Sequence, residues 1–219
     1  RRTIGGQFRD EHTGVAPLGD GWLVSGYRDR FDVPGPEDSV ITFWSAAGKL
    51  VWNYGYPWAG QVDDAFESIA PAPDGAVACG WADDRARMLR VSGTGAVVWD
   101  QRLTTLGRLR DIAAQANGTF AAVGSTALAP ALPAVLRIGG DGQGATVQTL
   151  DAFPNGSLAS LRAMPDGGLV LAGQMGTYTL PPRRPWLLRL DAAGQILWQR
   201  TYDVGAESDR ALQHWAREG

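Results

Sequence analysis

The stretch MPDGGLVLAG (residues 164–173), continued by PWLLRLDAAGQILWQRTY (residues 185–202), decides how this chain folds. Asp166-Gly167 reaches positive φ at little cost and closes a tight hairpin. The apolar run after it ends at Gly173. A second strand, WLLRL, feeds the turn at Gly194, and a third carries Trp198. Strands this short, punctuated by glycine turns, suit antiparallel pairing.

The same grammar recurs along the chain with a period of roughly 50 residues. Asp-Gly or Asn-Gly turns stand at Asp20, Asp74, Asn117 and Asp166. Short apolar strands run to Gly26, Gly80, Gly124 and Gly173. A further strand leads into a second turn at Gly48, Gly95, Gly142 and Gly194. Trp follows that glycine by four residues at Trp52, Trp99 and Trp198; the third copy has Thr146 instead. HTGVAPL, ESIAPAP, DIAAQA and SLRAMP, before the Asp-Gly turns, supply one more strand each. Each copy therefore holds four strands, A to D in chain order.

A single copy cannot bury both faces of its sheet, so copies must stack. The expected fold is all-β, a β-propeller of four recognisable blades, approximately 10–57, 64–104, 108–150 and 157–203. RRTIGG at 1–6 reads as a strand D and ALQHWAREG at 211–219 as a strand A, a fifth blade split and incomplete. The favoured expectation is a segment of a longer propeller. The rival is a natural chain that closes imperfectly or by association.

The repeat pattern resembles a broad set of bacterial extracytoplasmic β-propeller repeats. Residues 164–212 carry that pattern most fully, with Arg189 and Arg200 where lysine is usual. The first two copies match in part, and the third only in its glycine and apolar positions. The resemblance implies a secreted or periplasmic scaffold and no single activity, because many functions share propellers. DAAGQILW, AAGKLVW and GTGAVVW also resemble the tryptophan-docking turns of quinoprotein-type propellers. With no adjacent cysteine pair to sit over a quinone, no quinone is expected.

The charge balance, −3 with 20% charged residues, offers no basic stripe, so nucleic acid is not an expected partner. No apolar run approaches the ~20 residues that span a bilayer as a helix. The one cysteine, Cys79 in AVACGW, leaves no intramolecular disulfide and reads as a core thiol.

Function is expected on the rim formed by the B–C and D–A loops, which vary in length while the A–B and C–D turns are uniform. The candidate ligand-binding residues there are Trp58, Asp63, Asp64, Trp81, Asp83, Arg183 and Arg184. Exposed aromatics stack on sugars or anchor peptides, so the expected partner is a protein or glycan. Asp29, Asp32, Glu37 and Asp38, with Asp63-Asp64 and Asp83-Asp84, make Ca²⁺ a candidate ion, although the spacing matches no EF-hand. No cofactor is expected otherwise. Arg90, Arg137 and Arg189 recur at one strand-C position and read as structural partners of local acceptors. His12 and His214 fall on A strands. No catalytic motif is present. The leading expectation is a non-enzymatic binding module. Its alternatives are a polysaccharide lyase or hydrolase using rim carboxylates and the histidines, and a structural scaffold.

Overall fold

A computed structural model describes residues 10–29, 37–59, 62–177 and 180–202. Among them it holds four antiparallel sheets of four strands, each a meander in chain order. The first is β1 (Asp10–Leu18), β2 (Gly21–Asp29), β3 (Glu37–Trp44) and β4 (Leu50–Gly55). The second is β5 (Asp64–Ala72), β6 (Gly75–Ala82), β7 (Arg85–Ser92) and β8 (Val97–Leu103). The third is β9 (Leu106–Ala114), β10 (Phe120–Thr126), β11 (Pro133–Ile138) and β12 (Thr146–Thr149). The fourth is β13 (Gly156–Ala163), β14 (Leu169–Thr177), β15 (Leu180–Leu190) and β16 (Ile196–Thr201). This is the blade construction of a β-propeller. The split blade expected from 1–6 and 211–219, and His214 with it, lies outside the described residues.

Two compact units divide the chain, 1–109 and 110–219, and the division falls within β9. In the first unit, alternate residues of two sheets meet face to face. Ala16, Leu23 and Ile41 of one sheet pack with Phe66, Ile69 and Leu89 of the other. Burying each Leu, Ile or Phe is worth about 1.5–3 kcal/mol relative to exposure. Trp52 extends this core, stacking on Tyr54 at 5.1 Å and donating its indole N–H to Gly93 O at 3.2 Å. In the second unit Ala121, Val123 and Val135 pack with Leu161, Leu169, Leu171 and Trp186.

The repeated glycine of strand B has a cause the sequence reading did not name. Gly26, Gly80 and Gly173 do not end their strands; β2, β6 and β14 each continue past them. Each sits across from an irregularity in strand A, between His12 and Gly14, Phe66 and Ser68, and Leu158 and Ser160. A Cβ at these glycines would collide with the carbonyl oxygens of Glu11, Ala65 and Ser157. A bulge bends strand A into its partner, and only glycine leaves room for it.

Residues 82–86 form a two-residue turn at Asp83-Asp84, both with positive φ, 50° and 55°. PRRP at 182–185 belongs to β15, which begins at Leu180.

Candidate functional site

The D–A loop between β4 and β5 and the β6–β7 turn meet on one rim of the first unit. Asp83 N–H donates to Asp63 O at 3.0 Å, and Glu37 N–H donates to the Asp63 carboxylate at 3.0 Å. Asp63 therefore holds the start of β3 beside the turn, with its side chain at the surface.

Asp64 is different. It opens β5 and is fully buried. Its carboxylate accepts from Ser39 N–H at 2.7 Å, Trp58 N–H at 2.8 Å and Arg87 Nη1 at 3.1 Å. Burial pushes its carboxyl upward, against the pull of those hydrogen bonds and of the Arg87 charge. Arg87, on β7 and 1% exposed, also donates to Tyr56 O at 2.7 Å. It makes a two-point contact with Asp100, at 3.0 and 2.7 Å. The charge is thus paired twice and hydrogen-bonded throughout, the condition for burying an ion pair without large loss. Tyr56 seals the loop from the other side, its hydroxyl donating to Gly95 O at 2.7 Å. Burial raises that phenol well above its usual pKa.

Trp58 lies over this clamp. Its ring faces the Arg87 guanidinium at 5.1 Å, while its backbone is tied to Asp64, and the side chain is half-buried. A cation beneath an indole face orients the ring. The outcome is a fixed aromatic surface on a rim that also carries the exposed side chains of Asp63, Asp83 and Asp84.

The Asp83-Asp84 turn carries the second polar group. Asp83 accepts from Arg102 at 2.7 Å and Asp84 from Arg108 at 2.7 Å. The Arg108 guanidinium lies 3.9 Å over the Trp81 ring, and Trp81 donates to Glu67 Oε1 at 3.2 Å. Trp81 is buried under Arg108, so it supports the rim from below. Two adjacent non-glycine residues with positive φ are uncommon, though Asp tolerates the region better than most.

The structure therefore brings Trp58, Asp63, Asp64, Trp81 and Asp83 to one rim and divides them by depth. Trp58, Asp63 and Asp83 reach the surface; Asp64 and Trp81 do not. Arg184 is exposed on β15 of the second unit; Arg183 is in the same strand, with its side chain outside the described residues. Trp186, beside them, is fully buried against Phe153 at 4.9 Å. His12 is exposed on β1. Asp32 lies outside the described residues. Among the described residues no group of three or more His, Cys, Asp or Glu is placed to hold a metal.

Arg87 and Arg108 are the organising residues the sequence reading missed. The signal for Arg87 was an arginine at a period-2 position inside the apolar run ARMLRV. Only the tertiary pairing with Asp64, 23 residues earlier, gives it meaning.

No family model matches the sequence, and no curated protein matches it. Solved structures do resemble the fold. A protein of unknown function from Bacteroides caccae superposes with a TM-score of 0.54 at 14% identity, over 88% of this chain and 82% of that one. An ACO/RPE65 chimera gives 0.51 at 11% identity, over 83% of this chain and 46% of that one. The chain spans less than half the length of the chimera. At these identities the likeness is one of fold alone, and it agrees with the propeller blades described above.

Proposed function

We propose that this chain is a non-enzymatic binding module of a secreted or periplasmic bacterial protein, holding a protein or glycan on the D–A and B–C rim of its first unit. The observation that carries the reading is Trp58: half-exposed and fixed over Arg87, on a rim that carries exposed carboxylates. A pre-oriented aromatic face with acceptors on the same rim suits stacking on a sugar ring or anchoring a peptide side chain. The buried carboxylate beneath it is fully engaged by three donors, which suits a foundation better than an acid or base. Calcium binding has no group of ligands to support it among the described residues.

The test is a glycan and peptide panel against the wild-type chain and Trp58→Ala. Binding that disappears in the variant, with the fold retained, supports the module. Turnover of any glycan in the panel would favour the hydrolase or lyase reading instead.

A further inference from the structure

The face of the first sheet that points away from the second is built as an inter-sheet contact. Register aligns Val15 with Ile69 and Leu161, across the bulge that β1, β5 and β13 share. Counting back from the paired glycines, Trp22 aligns with Ala76 and Leu169, and Val24 with Ala78 and Leu171. Trp44 likewise aligns with Val91 and Leu190. In the second and fourth sheets every one of these positions is 5% exposed or less, packed on the neighbouring sheet. In the first sheet Val15 is 61% and Trp22 49% exposed. Together with His12, Val24, Trp44 and the β3–β4 turn they line an open concavity of about 680 Å³.

The polar part of the contact is repeated as well. A side chain on, or just after, the outer strand of one sheet donates to the second glycine turn of the next. Tyr56 donates to Gly95 O at 2.7 Å in the first unit, and Gln148 to Gly194 O at 2.7 Å in the second. The matching turn of the first sheet is Ala46 to Gly48, which lines the concavity. The donors that would fit it are present on β16 and the residue after it. Trp198 and Tyr202 stand at the repeat positions of Trp52 and Tyr56. Tyr202 N–H bonds Pro185 O at 3.0 Å just as Tyr56 N–H bonds Ser39 O at 2.8 Å. Trp198 is 40% and Tyr202 45% exposed.

We propose that the chain associates head to tail with a second copy. The β13–β16 sheet of one copy covers the β1–β4 sheet of the other. Trp198 and Tyr202 enter the place over the Ala46–Gly48 turn that Trp52 and Tyr56 take over Gly93 and Gly95. Such a contact is heterologous, with different surfaces on its two sides, so an open assembly retains one free face of each kind, at its two ends, until it closes.

Sedimentation and light scattering of the full chain over a range of concentrations test this. The wild type is expected at a multiple of the monomer mass. Trp22→Glu and Trp198→Glu are each expected to fall to the monomer mass with unchanged circular dichroism, because both side chains are exposed. An equimolar mixture of the two variants is expected to regain a dimer, since each keeps one intact face. A wild-type monomer up to millimolar concentration would overturn the proposal. So would failure of the mixed variants to associate, or an assembly that Trp198→Glu leaves intact, which would indicate pairing of first sheets face to face.

Discussion

The Asp64 carboxylate and the Arg87 guanidinium meet at 3.1 Å with side chains 0% and 1% exposed, directly beneath Trp58. Rim geometry in the first unit depends on this pair, because Asp64 also fixes the backbone of Ser39 and Trp58. Removing one partner leaves a buried charge uncompensated, which costs about 3–5 kcal/mol. Arg87→Met leaves the buried Asp64 carboxylate without that cation, whereas Asp64→Ala leaves Arg87 paired with Asp100, so Arg87→Met is expected to lose stability on that scale in urea titration. Asp100→Ala is expected to lose less, since its side chain is 27% exposed and water can replace it.

Gly80→Ala is expected to destabilise by about 1–3 kcal/mol or more, the range for overpacking, because its Cβ would meet the Ala65 carbonyl across the bulge. Gly48→Ala is a useful contrast: it has open space around it but positive φ, 69°. Its cost, read in the same titration, comes from backbone strain alone.

The third repeat offers a stabilising change. In the second and fourth sheets the strand-C arginine bonds the aspartate of the Asp-Gly turn, Arg90 to Asp74 at 2.6 Å and Arg189 to Asp166 at 2.7 Å. The third copy has Asn117 in that place. Arg137 bonds Gln148 at 3.5 Å, and among the described residues its buried Nε and Nη2 have no hydrogen-bond partner. Burial accordingly lowers its pKa. Asn117→Asp is expected to add about 0.2–1 kcal/mol, the range of a partly exposed ion pair, measured as a rise in melting temperature that high salt reduces.

The same latch gives a pH dependence. The hydrogen bond from Arg90, and then its charge, hold the Asp74 carboxyl below its usual value. A depressed carboxylate pKa adds stability that is fully present above the unfolded value and is lost as pH falls through the folded one. The stability gap between wild type and Arg90→Met is therefore expected to narrow on acidification below the usual carboxylate range. A gap constant with pH would show that the latch does not form in solution.

Much of the architecture was legible because turn chemistry and strand period repeat. Asp74-Gly75 and Asp166-Gly167 mark hairpins by their backbone needs, and Trp52 recurs in register with Trp99 and Trp198. The recurring arginines also read correctly as structural at Arg90 and Arg189. The bulge behind Gly80 was not legible, since a glycine required by a neighbouring strand looks in sequence like a turn glycine. Depth on the rim was equally hidden. Asp63 and Asp64 are adjacent and chemically alike, yet the first faces solvent at the end of the loop and the second opens β5 and turns into the clamp with Arg87. Only the pairing of distant strands decides which is which.

The most direct measurement is binding of the wild-type chain and Trp58→Ala to a panel of glycans and peptides, with melting temperature recorded for both. A ligand held by the wild type and lost by Trp58→Ala is expected, at a stability cost of about 2 kcal/mol, the scale of a desolvated cation–π contact. A ligand held equally by both proteins would contradict the proposed function, because the Trp58 surface would then not be the binding site.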